Sequence, residues 1–380
     1  MRFGYLTYGL DRPHLGISRT VLDLGKSLVE RPDCEPVFIT PYARGPFAAA
    51  PGAVRLPAAR LLPALMTLGA LAVPAIAHRR RLPLIHDPAG VSPFLLGRWA
   101  GDYKRVVTLH DAIAFRYPDG YSRLNNFLHR RYIPATLAGV DAVITVSASA
   151  RDDLVRFLRL PSEKVFVVPM AANPTFRPQP PAAALPVAAR YGAQPPYVLY
   201  VGAVEARKDL PTLLRAFARL RAAFPRLTLV VAGRVRFKAT DVTQTLAALD
   251  IASAVRFTGF VPDEDLPALY GAAAAFCVPS LYEGFGLPVL ESMACGTPVV
   301  CTRASSLPEV AGGAALLFEP RDDAALAEHL ARILSDPSLA EDLRRRGLAR
   351  AATFSWARTA EATRAVYRHV TAGRAPRAAR

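Results

Sequence analysis

The feature that most restricts the fold is an alternation of short apolar runs with longer stretches of helical periodicity. Runs such as 84–87, 142–146, 197–201 and 228–232 are rich in β-branched side chains, and a helical stretch follows each. Apolar runs of this kind are typical of parallel strands that are buried on both faces. The pattern therefore predicts an α/β chain built on parallel sheets.

Length and composition indicate two domains. A chain of 380 residues with 52% hydrophobic content can bury two separate cores. The stretch 173–186 is rich in proline and alanine and interrupts the apolar periodicity, so it predicts a linker. We expect an N-terminal domain at 1–172, a second domain at 187–354, and a terminal segment at 355–380.

The charge of the chain suggests an anionic partner. The formal net charge is +16, from 47 Lys and Arg against 31 Asp and Glu, and both halves of the chain carry the excess. A spread of this kind favours a phosphate-handling or membrane-apposed protein over a nucleic-acid binder. The sequence also contains neither a helix-turn-helix pattern nor a zinc pattern, which a nucleic-acid binder would often show. A compositional bias towards arginine would account for part of the same signal.

The four cysteines predict neither a metal site nor a disulfide framework. Cys34, Cys277, Cys295 and Cys301 form no Cys-x-x-Cys pair and have no histidine at metal-ligand spacing. They are expected to be reduced residues, with those near the apolar runs in the core. The chain opens directly into a predicted strand without a secretory pattern, and a cytoplasmic location is expected.

One uncharged segment, 61–77, is followed by His78 and the three arginines 79–81. Seventeen residues that include Pro63, Gly69 and Pro74 are at the short limit for a membrane span, so spanning is not favoured. Two interpretations remain open. The segment is an ordinary helix of the first domain, or it lies against an anionic membrane surface with the arginines at the lipid phosphates.

The most specific stretch is 279–300, which reads PSLYEGFGLPVLESMACGTPVV. Glu283 is expected in a loop after a strand, and Glu291 about one turn inside the helix that Pro288 opens. Glycines at 284 and 286 would let backbone N–H groups approach a ligand, beside a helix N-terminus that favours negative charge. Carboxylates in such a place accept hydrogen bonds from hydroxyls, which suits a sugar joined to a phosphate. The simpler alternative is a surface helix with two solvated glutamates.

Three other places carry candidate ligand contacts. Gly202 ends a predicted strand, and Arg207 with Lys208 precedes the next helix, where cations can hold a diphosphate. His110 follows the predicted strand 105–109, and the carboxyl ends of such strands face the ligand crevice of an open α/β sheet. Gly16 stands at the start of the first helix after the first strand. Solvated cations and a structural histidine are the alternatives at these positions.

The stretch E-G-F-G-L-P-x-x-E resembles the Glu-x7-Glu signature of the retaining GT-B glycosyltransferases of family 4. The resemblance implies two Rossmann-like, doubly wound parallel-sheet domains with the active site in the cleft between them. It also implies a terminal helix that crosses back to the N-terminal domain. One departure concerns Ala203, where many members have an arginine, so Arg207 would have to substitute for it.

The resemblance also implies roles for the candidate residues. Arg207 and Lys208 would bind the diphosphate, Glu283 the sugar hydroxyls, Glu291 the ribose, and His110 the transferred sugar. The residues expected to take part in catalysis are His110, Glu283, Arg207 and Lys208. The residues expected to bind the donor are Gly16, Gly202, Gly284, Phe285, Gly286, Leu287 and Glu291.

The expected function is transfer of a hexosyl group from a nucleotide-diphospho-sugar to a glycan or polyprenyl-linked acceptor. The stretches V-G-x-x-E-x-R-K-D and H-D-A-I-A-F-R-Y-P together resemble bacterial mannosyltransferases, which favours GDP-mannose as the donor. The alternatives are a donor of the UDP-hexose or UDP-N-acetylhexosamine type, or a non-catalytic sugar-binding homologue. No cofactor or metal is expected, because Asp263 and Asp265 are better explained as first-turn residues of a helix. Peripheral association with the inner face of the cytoplasmic membrane is a further expectation, and nucleic acid is not an expected partner.

Overall fold

The computed structural model describes residues 1–8, 10, 16–42, 44–56, 62–118, 123–234 and 240–372. Within these ranges, the side chains at 62–68, 98, 100, 123, 125 and 240 are not described. The chain forms two units. The first comprises Met1–Met170 and Trp356–Arg380, and the second comprises Ala171–Ser355.

The first unit contains a parallel sheet whose described strands lie in the order β3-β2-β1-β4-β5-β6-β7. The strands are β1 (Arg2–Leu6), β2 (Glu35–Thr40), β3 (Val54–Arg55), β4 (Leu84–Asp87), β5 (Lys104–Thr108), β6 (Ala142–Thr145) and β7 (Val165–Val167). The chain winds outward from β1 in one direction and from β4 in the other. The ligand crevice of a doubly wound sheet lies outside the carboxyl ends at such a reversal.

Helices connect most of these strands, as is usual for parallel pairs. They are α1 (Gly16–Val29), α2 (Leu62–Arg79), α3 (Ile113–Arg116), α4 (Arg123–Phe127), α5 (Ile133–Leu137) and α6 (Ala148–Leu158). A π-helical turn, Leu128–Tyr132, joins α4 to α5. Local sequence explains the start of α6, because the Ser147 hydroxyl accepts a hydrogen bond from the Ala150 N–H at 3.0 Å.

The second unit contains a parallel sheet with the described order β10-β9-β8-β11-β12-β13. The strands are β8 (Tyr197–Val201), β9 (Thr228–Ala232), β10 (Val255–Gly259), β11 (Ala275–Val278), β12 (Val299–Thr302) and β13 (Leu316–Phe318). The helices are α7 (Pro181–Arg190), α8 (Leu210–Leu220), α9 (Thr240–Leu249), α10 (Leu266–Ala272), α11 (Leu287–Ala294), α12 (Leu307–Ala311), α13 (Asp323–Ser335) and α14 (Pro337–Ala351). Here the winding direction reverses between β8 and β11.

The core of the second unit explains why the sequences of its strands are continuous apolar runs. Val198 and Tyr200 of β8 are buried in one cluster with Leu213, Leu214 and Phe217 of α8. The amphipathic helix covers one face of the sheet and removes these side chains from water. Burial of each such side chain contributes about 1.5–3 kcal/mol to folding.

The predicted linker at 173–186 is partly wrong, because α7 begins inside it at Pro181. Proline in the first helical turn loses no hydrogen bond, and the alanines that follow favour a helix. The residue after α7, Tyr191, donates its hydroxyl to Asp265 at 2.5 Å, and Arg190 forms an ion pair with the same carboxylate at 2.8 Å. Asp265 therefore links the end of α7 to the start of α10. From the sequence, Asp265 was expected only to interact with the helix dipole in the first turn of α10.

The terminal helix, α15 (Trp356–Thr371), belongs to the first unit. Its Tyr367 hydroxyl lies 2.6 Å from Nδ1 of the buried His86 in β4, and its Thr359 hydroxyl donates to the Pro169 carbonyl at 2.8 Å. An ion pair between Arg31 and Glu361 adds a surface contact with the end of α1 at 2.5 Å. These contacts hold the end of the chain against the sheet of the first unit.

The uncharged segment 61–77 forms most of α2, with Leu61 outside the described residues. Val73 and Ala77 are buried in the core of the first unit, whereas the Leu71 side chain is 64% exposed. The segment is thus a helix of the first unit that buries Val73 and Ala77 and exposes the apolar side chain of Leu71. Among the helices of the described residues, none has the length and apolar character needed to cross a bilayer.

The cysteines are free thiols. Cys277, Cys295 and Cys301 are buried, and Cys34 is half-buried. The prediction of reduced core residues is confirmed for the three buried thiols.

Candidate functional site

The candidate site lies at the carboxyl edge of the sheet in the second unit, where the winding direction reverses. Strands β8 and β11 are neighbours in this sheet, and their connections leave in opposite directions. Arg207 and Lys208 lie in a 3₁₀ turn after β8, and Glu283 lies in the loop after β11. The fold thereby brings together residues that are about 75 positions apart in the sequence.

Two cations and two carboxylates form a connected network at this edge. Glu283 accepts hydrogen bonds from Lys208 Nζ and, at 2.7 Å, from the Ser280 hydroxyl on Oε1. Its other oxygen, Oε2, accepts from Arg207 Nη1 at 3.2 Å. Arg207 Nη2 forms a second ion pair with Glu205 Oε1 at 2.6 Å. The network spans both loops and links them through charge-assisted bonds.

Burial strengthens the electrostatics of this network. The side chains of Glu283, Lys208 and Arg207 are 10%, 12% and 18% exposed. Burial alone would raise the pKa of Glu283, but the charges of Lys208 and Arg207 outweigh it and lower that pKa to about 2. Glu283 is therefore ionised near neutral pH. Burial and the neighbouring Arg207 lower the pKa of Lys208, against the opposing effect of Glu283.

Two serines from a third loop hold the Glu283 segment in place. The Ser305 hydroxyl accepts from the Glu283 N–H at 2.8 Å. The Ser306 hydroxyl lies 2.9 Å from the Glu283 carbonyl and 2.8 Å from the Phe285 carbonyl. Both serines follow β12, and Ser305 adopts a left-handed conformation with φ of 47°. The sequence analysis missed them, although two hydroxyls directly after a predicted strand are a usable signal.

The glycine loop leads into α11, which begins near Pro288 as the sequence predicted. Gly286 is the N-cap of α11 with φ of 101°, and a Cβ there would lie 2.7 Å from Cδ2 of Leu307. Leu287 begins the helix and Pro288 lies in its first turn, as expected. Phe285 is buried, with its ring edge-on to Phe354 at 6.0 Å. Gly284 is also buried, in the same loop.

Glu291 lies inside α11, one turn from its start, and its residue is 2% exposed. Its Oε2 accepts a hydrogen bond from the Tyr270 hydroxyl of α10 at 3.2 Å. Glu283 is buried as well, so the alternative of a surface helix with two solvated glutamates is wrong. A buried carboxylate must be compensated by hydrogen bonds or charge, and the tyrosine, which the sequence analysis did not select, provides one such bond.

Glycines occupy the ends of three neighbouring strands. Gly202 follows β8, Gly233 follows β9, and Gly259 ends β10, all with positive φ. A Cβ on Gly233 would lie 1.9 Å from the Gly202 carbonyl oxygen, which excludes any side chain there. Gly202 is the glycine selected from the sequence, and Gly233 likewise follows an apolar run.

The two predicted residues of the first unit lie at the carboxyl edge of its own sheet. His110 follows β5, and its Nε2 lies 3.0 Å from the Pro88 carbonyl oxygen. Burial lowers the pKa of His110, against the opposing effects of Pro88 and Asp111, so the neutral ring is favoured. Gly16 is the exposed first residue of α1, and a Cβ there would meet no atom within 4 Å.

The described part of the chain contains no group of three or more His, Cys, Asp or Glu residues arranged to hold a metal ion. At the candidate site, the charges opposite Glu283 are those of arginine and lysine side chains, which supply cationic groups within the protein itself.

Comparison with known proteins agrees with this geometry. Residues 15–176 match the family model described as Glycosyltransferase Family 4, and residues 188–350 match the model described as Glycosyl transferases group 1. The chain is 36% identical to the O-antigen chain mannosyltransferase B of Escherichia coli over 278 residues, which cover 72% of this chain and 71% of that protein.

Solved structures are similar over almost the whole chain. The sucrose-phosphate synthase of Thermosynechococcus elongatus superposes with a TM-score of 0.78 at 25% identity, covering 98% of this chain and 100% of the other. Anabaena HepE, solved in complex with UDP and glucose, superposes with a TM-score of 0.75 at 19% identity, covering 97% and 99%. The sequence match to a mannosyltransferase and the two doubly wound sheets lead to the same conclusion: this chain is a glycosyltransferase of family 4 with the GT-B fold.

Proposed function

We propose that the second unit binds a nucleotide-diphospho-sugar, GDP-mannose in the first instance, and that the chain transfers its hexosyl group with retention of configuration. The acceptor in this proposal is a glycan or a polyprenyl-linked glycan. The observation that carries the proposal is the pair of cations, Arg207 and Lys208, buried beside Glu283 where the winding of the sheet reverses. The mannosyltransferase relative favours mannose as the sugar.

The network explains how such a site would take a diphosphate. Lys208 forms an ion pair with Glu283, and Arg207 forms ion pairs with both Glu283 and Glu205. A diphosphate carries several negative oxygens, so it can replace these carboxylates as the partner of both cations. Glu283 is then released to accept hydrogen bonds from the sugar hydroxyls.

The proposed reaction breaks the bond between the anomeric carbon and the diphosphate oxygen. A new bond forms from the acceptor oxygen to the same face of the anomeric carbon, and the departing phosphate oxygen takes the acceptor proton. Negative charge develops on the nucleoside diphosphate as it leaves. Arg207 and Lys208, positioned by the adjoining loops, stabilise that charge, and preorganised charges of this kind are usually the largest catalytic contribution.

The remaining expected contacts are part of the same proposal. Glu291, which now accepts from Tyr270, would accept from the ribose hydroxyls of the nucleotide. Backbone N–H groups of the glycine loop at 284–286 would contact the sugar and diphosphate. His110, from the first unit, would contact the transferred sugar. No metal or other cofactor takes part, since the two cations supply the positive charge.

A donor-binding experiment tests this proposal. Thermal unfolding is measured in EDTA with GDP-mannose, UDP-glucose and UDP-N-acetylglucosamine, each at a concentration well above the expected Kd. A ligand at about 100 times its Kd stabilises the folded state by about 2.7 kcal/mol, so a clear rise in Tm is expected with GDP-mannose. A larger rise with either UDP-sugar would assign the alternative donor. Absence of any rise without added manganese would contradict metal-free binding.

We also propose that the first unit binds reversibly to the inner, cytoplasmic face of an anionic membrane. Arg79, Arg80 and Arg81 are exposed at the end of α2, and Leu71 of that helix is exposed as well. Near anionic lipid each cation contributes about 1 kcal/mol, so three shift partitioning by roughly a hundredfold at low salt.

Cosedimentation with phosphatidylserine vesicles tests the membrane proposal. The triple change Arg79/Arg80/Arg81→Ser should reduce binding at low salt, and high salt should reduce binding of the wild type. The matched control is Arg344/Arg345/Arg346→Ser, which removes three charges from α14 of the second unit and should bind as the wild type does. Equal binding of all three proteins would contradict the proposal.

A further inference from the structure

Asp87, at the carboxyl end of β4, holds the turn that follows it. The residue has no exposed surface. Its Oδ1 accepts from the Ala89 N–H at 3.0 Å and its Oδ2 from the Ser92 N–H at 2.6 Å. The N–H groups of Gly90 and Val91 also face the carboxyl. A ring of backbone donors of this kind organises the turn around one side chain.

The 88–92 turn is also pressed against the end of β5. Gly90 has φ of 75°, and a Cβ there would lie 2.9 Å from the Thr108 carbonyl oxygen. At the other end of the turn, the Ser92 hydroxyl lies 2.5 Å from the Thr136 hydroxyl of α5. The turn therefore has little room to shift relative to the strand that leads to His110.

The carbonyl of Pro88, next to Asp87, contacts His110. Nε2 of the ring lies 3.0 Å from this oxygen. A carbonyl oxygen only accepts hydrogen bonds, so Nε2 carries the proton, and in the neutral ring Nδ1 carries the lone pair. Rotation or loss of the Pro88 carbonyl would remove the preference for this tautomer.

We infer that Asp87 is a positioning residue for His110. By holding the 88–92 turn, it aims the Pro88 carbonyl at Nε2 and so leaves Nδ1 as the hydrogen-bond acceptor that a ligand hydroxyl meets. The consequence for catalysis rests on the proposed role of His110 at the transferred sugar. The tautomer itself is a property of the free protein and does not depend on that role.

The charged surroundings of His110 are compatible with a neutral ring. Asp111 raises the pKa of His110, but its Oδ1 accepts from the Ile113 N–H at 2.9 Å and helps to start α3. His86 is neutral near pH 7, because burial and the nearby His110 lower its pKa to about 3. Burial raises the pKa of Asp87 itself to about 6, against the opposing effect of the backbone N–H groups of the turn, so Asp87 is mostly ionised near pH 7.

The experiment uses ¹⁵N-histidine-labelled full-length protein, whose side-chain ¹H–¹⁵N correlations report the tautomer of each ring. His110→Gln identifies the signal of His110 among the seven histidines. Asp87→Asn keeps the shape of the side chain but replaces one carboxylate oxygen with an amide NH₂. That NH₂ cannot accept a hydrogen bond from the backbone N–H of the turn that it faces. Gly90→Ala disturbs the same turn from its other side. Asp141→Asn is the control, because Asp141 accepts the Arg105 N–H at the opposite end of β5.

Near neutral pH, His110 should be the Nε2–H tautomer in the wild type and in Asp141→Asn, and a mixture of tautomers in Asp87→Asn and Gly90→Ala. With the donor identified above, Asp87→Asn should lower kcat about tenfold and leave the donor Kd unchanged. A wild-type Nδ1–H tautomer would overturn the inference, as would an unchanged tautomer in folded Asp87→Asn and Gly90→Ala. If the tautomer shifts but no transfer is found, the proposed function fails and the positioning stands.

Discussion

At the scale of single residues, Glu283 is the side chain that connects the charged groups of the candidate site. It is bound to both cations, to a serine hydroxyl and, through its backbone, to two further serines. The carboxylate therefore fixes the positions of both cations. In the proposed function, it is the group that a diphosphate would displace.

Glu283 should give the folded chain a defined dependence on pH. Its pKa is lowered from 4.5 to about 2 in the folded state, so its stabilising effect is present above pH 4.5 and is lost as the pH falls towards 2. Between pH 6 and pH 3 this loss amounts to about 2 kcal/mol. We expect the difference in unfolding free energy between wild type and Glu283→Gln to shrink by about that amount.

Urea unfolding at pH 6, 5, 4 and 3 measures this difference. The matched control is Glu319→Gln, since Glu319 forms an exposed ion pair with Arg303 and should show little change with pH. A difference between wild type and Glu283→Gln that is constant over this range would show that Glu283 is not held ionised by its neighbours.

Much of the candidate site could be predicted from single residues, because their immediate neighbours in the sequence indicate their positions. Glu283, Arg207 and Lys208 each lie in a short loop between an apolar run and a helix, and those signals are contained in a few consecutive residues. Ser305, Ser306 and Asp87 were missed because their importance comes from contacts with another loop or turn. Tyr270 was missed because an aromatic residue in a short helix reads as core, and its hydroxyl partner is on another helix.

At the scale of elements, the start of α11 positions the glycine loop. Gly286 has a left-handed backbone that only glycine adopts without strain, and it packs on Leu307 of α12. The N-terminus of α11 and the Glu283 loop are therefore fixed to one another by a single residue. A side chain at this position would move both.

Gly286→Ala should destabilise the second unit by about 2–3 kcal/mol, from backbone strain and from the contact with Leu307. Gly271→Ala is the matched control, because Gly271 lies in α10 and a Cβ there would meet no atom within 4 Å. Alanine at 271 should be neutral or stabilise the chain by up to about 1 kcal/mol. Thermal unfolding of both variants checks this, and equal Tm values would contradict the account of the glycine loop.

Element boundaries show where pattern and structure differ. β4, β8 and β9 have the predicted bounds because each is a short apolar run that ends at a polar or glycine residue. The region 173–186 was misjudged because proline and alanine suit both a linker and the first turns of a helix. The contacts of Arg190 and Tyr191 with Asp265 stabilise the end of the helix, and the local sequence pattern does not show these contacts.

At the scale of the whole molecule, the chain uses the same architecture twice. Both described sheets are parallel and doubly wound, and in each the candidate residues follow strands at or next to the reversal. The first unit includes the end of the chain, because α15 packs on β4 through Tyr367 and His86. The alternating pattern predicted the sheets, whereas the return of α15 could be expected only from the family resemblance.

The central claim is that Lys208 and Arg207, which pair with Glu283, form a diphosphate site. Calorimetric titration of GDP, or of UDP if a UDP-sugar gives the larger thermal shift, tests it in wild type, Lys208→Ala, Glu283→Gln and Arg219→Ala. Loss of one charge-assisted contact costs about 1.5–3 kcal/mol, so Lys208→Ala should bind at least tenfold more weakly. Glu283→Gln should bind as tightly as the wild type or more tightly, because the cations are released, and Arg219→Ala, whose arginine pairs with Asp323 on α13, should be unchanged. Binding that is unaffected in Lys208→Ala, or that falls equally in Lys208→Ala and Glu283→Gln, would contradict the claim.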